Sequence, residues 1–328
     1  MAFVPYGEVS EGSSTIVHVF SSIVMRQLRY MILFFATLAF VNAGAQWQVT
    51  IKDSVTQEPV PYVSAYWGQG TGGYSDESGI IVLPEGTEQV QLSHICYETK
   101  NISMSDFGNQ VVILIPKNIV LDEVNVSAKT PKRTKTQRIG LVKEKTQTAH
   151  RGTNGFEMAL FIPYDSAWTE APYIHSILAS LDYSTHWMTF TTIKSPIYAT
   201  LRFDLRLPDT QTGAPRDESL IDGGILCPSN QRVGKDGIRL NHPIPFPKTG
   251  IFVVVEWIST ASVSESQSLV PALNMTLNAE GNRTWNKKSF RGMDWMREQD
   301  EPIYHEESAG NFYKGRTPTA KLGLVISK

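Results

Sequence analysis

Apolar and polar residues alternate in short runs along most of this chain. Gln48-Val49-Thr50-Ile51 alternates as a half-buried strand does, and turn-forming residues from Asp53 to Pro59 follow. Tyr62 to Trp67, Ile80 to Leu83, Gln89 to His94 and Val111 to Ile115 repeat short apolar-rich runs. Four glycines between Gly68 and Gly73 permit a tight reversal. Short strands at this spacing, with turn signals between them, predict a small antiparallel β-sandwich over 46–128.

The β pattern resumes beyond Gly155: Phe156 to Ile162, Ile174 to Leu181, Trp187 to Thr192, Tyr198 to Leu205 and Ile251 to Ile258. The last of these is β-branched and aromatic throughout, which suits a central strand covered on both faces. Prolines recurring from Pro163 to Pro247 exclude long helices. Leu273 to Leu277 and Leu322 to Ile326 supply closing strands, so 152–328 reads as a larger C-terminal β-sandwich or jelly roll. The fold class expected for the whole chain is all-β.

Between the two, 129–151 carries eight basic residues, from Lys129 to Arg151, against Glu144 as the one acid. The expected state is a solvated basic linker holding the domain boundary. The alternative, a nucleic-acid patch, lacks aromatic stacking residues, and no nucleic acid is expected as a partner.

The start of the chain has a different pattern. Arg26 and Arg29 precede an apolar run from Met31 to Val41, and small residues Ala43 and Ala45 follow. A positive n-region, a short apolar core and an Ala-x-Ala ending predict a signal peptide over 25–45, cleaved after Ala45. The alternative is a buried hydrophobic helix or an anchor. Residues 1–24 then read as a misassigned leader with Met25 as the true start, and the mature protein as exported to the periplasm or the outer cell surface.

Composition narrows the classes further. The chain has 328 residues, 41% hydrophobic and 19% charged, with a net charge of -2. This is ordinary globular composition without a global pull toward anionic polymers. Two cysteines exclude a disulfide-rich scaffold and a four-cysteine zinc site. Cys96 is expected as an inert buried thiol, the alternatives being a nucleophile served by a histidine, with His94 close in sequence, and a bridge to Cys227. No histidine is followed three residues later by Glu or Asp, and neither H-E-x-x-H nor G-x-S-x-G occurs. His305-Glu306-Glu307 sets ligand types side by side, but neighbouring strand residues point to opposite faces. No metal and no cofactor are expected. Asp209, Asp217 and Asp222 sit among glycines and read as turn formers.

One polar, basic segment carries two tryptophans. Trp285 and Trp295, with Arg283 and Asp294, form the candidate binding residues, because flat rings beside hydrogen-bonding side chains suit a glycan or protein partner. The competing reading makes both rings core aromatics.

Several stretches of the first region resemble a known family. Asp53-Ser54-Val55-Thr56-Gln57-Glu58-Pro59-Val60-Pro61 resembles the opening motif of carboxypeptidase regulatory-like domains. Gly68 to Gly79, ending Tyr74-Ser75-Asp76-Glu77-Ser78-Gly79, resembles their glycine-rich hairpin, and Ser93 to Glu98 resembles their S-x-I-G-Y-E strand. Leu121-Asp122-Glu123-Val124-Asn125-Val126 is similar to the tail found where Bacteroidetes envelope proteins carry this domain. Cys96 stands where the family has Gly, and Ile80 where it has an aromatic. The resemblance covers nearly all of 46–128. It implies a seven-stranded, transthyretin-like sandwich without catalytic residues of its own, in a family that often accompanies outer-membrane transporters. The second region is similar, around Leu207 to Pro215 and Gly250 to Ile258, to uncharacterised C-terminal domains of such envelope proteins.

The resulting expectation is a non-catalytic exported cell-envelope protein that binds or scaffolds. Its partner would be an envelope protein or a polysaccharide, with an outer-membrane transport component as a further possibility. The alternative is an envelope hydrolase of peptide or glycan with its site in the C-terminal domain.

Overall fold

The computed structural model describes residues 47–103, 105, 111–117, 135–183, 200–228, 232–258, 271–277, 283–291, 294–300 and 316–327. The expected leader 1–24, the expected signal peptide 25–45, the strand expected from Trp187 to Thr192 and His305-Glu306-Glu307 lie outside them. Among the described residues the fold is all-β, and no helix there is long and apolar enough to cross a membrane. The described residues from Gln48 onward belong to one compact unit.

Seven strands build the first sandwich: β1 (Trp47–Asp53), β2 (Ser64–Gly68), β3 (Thr71–Tyr74), β4 (Ile80–Leu83), β5 (Gln89–His94), β6 (Tyr97–Ser103) and β7 (Val111–Leu114). They form a sheet of order β4-β1-β7 facing a sheet of order β3-β2-β5-β6. Alternate residues point inward, and Ile51, Leu83 and Leu114 from one sheet meet Ala65, Val90 and Leu92 from the other. One pairing differs from the antiparallel expectation. β1 and β7 run parallel, Thr50 opposite Val111, because the chain crosses to the other sheet before it returns beside β1.

The motif residues act through local hydrogen bonds. Asp53 accepts from the backbone N–H of Val55 at 2.6 Å and of Thr56 at 2.9 Å, and from the Tyr97 hydroxyl at 2.7 Å. It thereby ties the opening turn to the strand carrying the second motif. Those bonds, the Thr56 N–H foremost, hold its carboxyl below the ordinary range. Asp76 accepts from Ser78 and Ile80 N–H, and Gly79 closes this turn at φ +71°, where a Cβ would lie 2.8 Å from the Ile51 carbonyl oxygen.

The remaining strands build the second sandwich. They begin with β8 (Thr136–Gly140), β9 (Thr148–His150), β10 (Phe156–Ile162), β11 (Tyr173–Ala179), β12 (Leu181–Asp182) and β13 (Thr200–Pro208). Next come β14 (Pro215–Ser219), β15 (Ile225–Pro228), β16 (Ile238–Pro245), β17 (Ile251–Ile258) and β18 (Ala272–Thr276). The last are β19 (Thr284–Lys288), β20 (Met296–Arg297), β21 (Thr319–Ala320) and β22 (Leu322–Ser327).

A seven-stranded sheet of order β14-β13-β17-β10-β19-β20, with β15 beside β13, faces two four-stranded sheets. Their orders are β16-β11-β22-β8 and β12-β18-β21, with β9 beside β18 in the latter. Phe203, Val255 and Trp257 from the large sheet interlock with Ile174, Leu273 and Leu324 opposite. β17 is central and buried at every position, as its composition predicts. β16 holds Pro243 and Pro245, which an edge strand with a register shift against β11 tolerates.

The basic linker is corrected in part. Residues 136–140 pair with β22 and 148–150 with β18, so both belong to the second sandwich. Ile139 and Leu141 pack against its core while Arg138 stays exposed. The basic residues conceal a two-residue apolar period.

Candidate functional site

Period-two alternation also decides what the outer face of the large sheet presents. Across β13, β17, β10 and β19 the register sets Arg202 beside Glu256, Glu256 beside Glu157, and Glu157 beside Lys287. Two and four residues along β13, Asp204 and Arg206 share that face. The result is a cluster of two arginines and three carboxylates, each less than a tenth exposed.

The Arg202 Nη1 lies 3.2 Å from Glu256 Oε2, and the Arg206 Nη1 lies 3.1 Å from Glu157 Oε2. Arg206 Nε donates to Asp204 at 2.7 Å, the Leu205 N–H donates to the same carboxylate at 2.7 Å, and the Ser219 hydroxyl bonds to it as well. The Ser289 hydroxyl donates to Glu157 at 2.8 Å.

The first sandwich covers part of this cluster. The Tyr74 hydroxyl donates to Glu256 Oε1 at 2.5 Å, and Arg202 Nη2 donates to the Tyr62 carbonyl oxygen at 3.0 Å. Tyr62, Tyr74, Ile258 and Phe290 enclose these bonds in an apolar shell, with the Tyr74 and Phe290 rings edge to face at 5.3 Å.

Three carboxylates share two guanidiniums, and the ionisation of each follows. Burial pulls the Glu157 carboxyl up, but Arg206, Lys287 and Ser289 outweigh it and hold the group below its ordinary value. Burial prevails at Glu256, despite Arg202, and at Asp204, despite Arg206 and Ser219, so both are pushed up. Burial alone disfavours the Arg206 guanidinium, yet Glu157 and Asp204 hold it above its ordinary value. Burial, then Glu256, drives the Tyr74 phenol well above its usual range. The carboxylates are committed to ion pairs and hydrogen bonds with the two guanidiniums and their neighbours, which a bound cation would have to replace. Among the described residues no three His, Cys, Asp or Glu side chains are grouped to hold a metal.

Cys96 lies beside this junction. Its Sγ is 3.1 Å from Asp222 Oδ1, and burial followed by Asp222 pushes the thiol up to about 12. The His94 Nδ1 accepts from the Cys96 N–H at 3.2 Å, and burial, then Arg202, lowers its imidazole to about 3. A protonated thiol beside a neutral imidazole is the reverse of an activated nucleophile. Neither cysteine is in a disulfide, so the bridge alternative is not realised. Asp209 forms the turn expected of it, accepting from Gln211 and Thr212 N–H, while Asp217 pairs with Lys287 at 3.3 Å.

The four candidate binding residues do not form one exposed patch. Trp285 is 9% exposed and packs with Ala159, Ala214, Phe252 and Val254, under the Arg297 guanidinium at 5.0 Å. The expectation of an exposed stacking ring is therefore corrected at Trp285: on β19 its side chain falls on the outer face, where neighbouring apolar residues bury it. Trp295 is half-buried, with Arg206 and Lys287 each 5.8 Å from its ring centroid, so it borders the charge cluster. Arg283 is half-buried, its carbonyl accepts from the Phe161 N–H, and burial lowers its guanidinium's pKa. Asp294 is exposed.

Glu157, Arg202, Asp204, Arg206 and Glu256 are absent from the sequence-based candidates. Their signal is present: single charges inside apolar strands, and the alternating Arg202-Phe203-Asp204-Leu205-Arg206. Compared with models of protein families, with curated proteins and with solved structures, the chain has no match.

Proposed function

We propose that this is a non-catalytic, exported cell-envelope protein that binds or scaffolds an envelope protein or polysaccharide. Its first sandwich is, on this reading, of the carboxypeptidase regulatory-like kind, since the motif residues Asp53, Asp76, Gly79 and Tyr97 all have structural roles in the turns and strands that carry them. The observation that carries the reading is the junction. Glu256 and Arg202 are committed to each other, to Tyr74 and to the Tyr62 carbonyl, so these charges join two sandwiches and are withheld from a substrate. Two sandwiches joined this way present sheet faces in a set geometry, as a binding or scaffolding module requires.

A hydrolase is the second reading, favoured by one observation. Glu157 and Glu256 are register partners whose acidities are pushed in opposite directions, as in an acid and base pair. Both are buried, and Tyr74 of the first sandwich occupies Glu256, which weighs against it because catalysis would require that contact to open.

The full chain, immobilised and exposed to solubilised cell envelopes, should capture a defined protein or polysaccharide that binds again after purification. Envelope fractions without any such component would overturn the binding reading. Turnover of a peptide or glycan, lost in Glu256→Gln at a temperature where the variant stays folded by circular dichroism, would establish the hydrolase instead.

A further inference from the structure

The sheet β3-β2-β5-β6 uses the two halves of its outer face differently. The β3 half is docked: Tyr74 reaches Glu256, and at Gly72 a Cβ would lie 2.2 Å from the Phe290 ring. The β5–β6 half is open, with Gln89, Gln91 and Asn101 exposed. A cleft of about 820 Å³ lies there, lined by Tyr66, Trp67, Gln89, Gln91, Asn101 and Ser103 among others.

Register orders these groups. Tyr66, Gln91 and Asn101 stand in one row across β2, β5 and β6, and Gln89 stands opposite Ser103 in the next. The Tyr66 side chain also packs against the apolar group of Tyr62, Tyr74 and Phe290, which fixes it from behind. The Trp67 ring points to the other side of the sheet, where it packs beside Gly73 and Ile81 against the sandwich core.

An exposed antiparallel face is ordinarily polar. Here three further features coincide: the surface is concave, it carries the Tyr66 ring, and among the described residues lining it Glu88 is the one that is charged at neutral pH. Each amide offers donors and an acceptor together, as a sugar hydroxyl does, and the amides of Gln89, Gln91 and Asn101 make no side-chain hydrogen bond to other described residues. Aromatic faces supply the apolar contact that the C–H face of a sugar ring needs. The described lining residues include no cation for an anionic polymer, and their row of amides is poorly matched to an apolar peptide.

We propose that this cleft binds an uncharged oligosaccharide, with Tyr66 as the stacking surface and Gln89, Gln91 and Asn101 as the hydroxyl-reading groups. The proposal rests on the binding reading above and gives it a site and a ligand class.

The test is a printed array of neutral and acidic glycans probed with the full chain, followed by calorimetric titration of the neutral oligosaccharide bound best. At least one neutral glycan should bind, and Gln91→Ala with Asn101→Ala should weaken it tenfold or more. Those two side chains are exposed, so the variant's melting temperature should stay that of the unaltered chain. Binding to acidic glycans alone, no neutral glycan bound, or equal affinity in the double variant would each overturn the proposal. A blank array beside successful capture of an envelope protein would remove this site and leave the binding reading standing, whereas failure of both would remove both.

Discussion

On the inner face of β10, β13 and β17, Met158, Leu160, Phe203, Leu205, Val253 and Val255 meet the opposing sheets in an apolar core. On the outer face of the same strands Glu157, Arg202, Asp204, Arg206 and Glu256 are equally inaccessible to water. The two faces are thus buried by different means. Apolar groups gain free energy on leaving water, about 25 cal/mol per Å² removed, without a specific partner. Charged groups lose hydration and recover it only through defined geometry. The inner face therefore tolerates changes of similar volume, whereas each outer charge depends on its partners. The inner face also excludes charge from its own margin: His150 packs against Phe156 and Trp257 at 4.7 and 6.3 Å, and burial lowers its imidazole to about 4.

The largest effect is expected from Arg206→Ala, which deprives Asp204 and Glu157 of a shared partner. It should cost about 3–5 kcal/mol, measured by urea denaturation at pH 7. Adding Asp204→Asn and Glu157→Gln should recover a large part of that loss. A single-variant cost below about 1 kcal/mol would show that water reaches the outer cluster and would break the comparison.

Acid should act on the inner margin next. The unfolded imidazole of His150 protonates near its ordinary 6.5, while the folded one stays neutral down to about 4. Its contribution is therefore complete above pH 6.5 and lost as pH falls toward 4, by about 2–3 kcal/mol. The pH dependence of stability should flatten by that amount in His150→Gln. An unchanged slope would place the imidazole in water.

The smallest of the three effects belongs to the junction. Tyr74→Phe removes the hydroxyl that donates to Glu256 while leaving Arg202 in place, and should cost about 1.5–2 kcal/mol. Heating followed by calorimetry would read this as a lower melting temperature, and separation of the single transition into two would show that Tyr74 couples the sandwiches. No change would mean that the bond adds nothing to the junction.

Much of the strand content was legible along the chain. Phe156–Ile162 and Ile251–Ile258 have the bounds that composition predicts, because a long β-branched, aromatic run has few other stable states. The turns at Asp53 and Asp76 were equally legible, since an Asp side chain bonds backbone two to four residues away. β8 and β9 were hidden because their pairing partners, β22 and β18, lie more than a hundred residues downstream, and a basic exposed face masked the apolar one.

The charge cluster shows where the sequence stops and tertiary structure begins. Alternation along Arg202-Phe203-Asp204-Leu205-Arg206 already requires that three charges share one face. Nothing in that segment says whether the face meets water, a ligand or another part of the chain. Strand order brought β13 beside β17 and β17 beside β10, and register set Arg202 opposite Glu256. The first sandwich then placed the Tyr74 hydroxyl on Glu256 across 182 residues of chain. Strand formation and turn chemistry are short-range and legible residue by residue. The burial and pairing of charges are long-range, decided by which surfaces the folded chain brings together and which water it removes from between them.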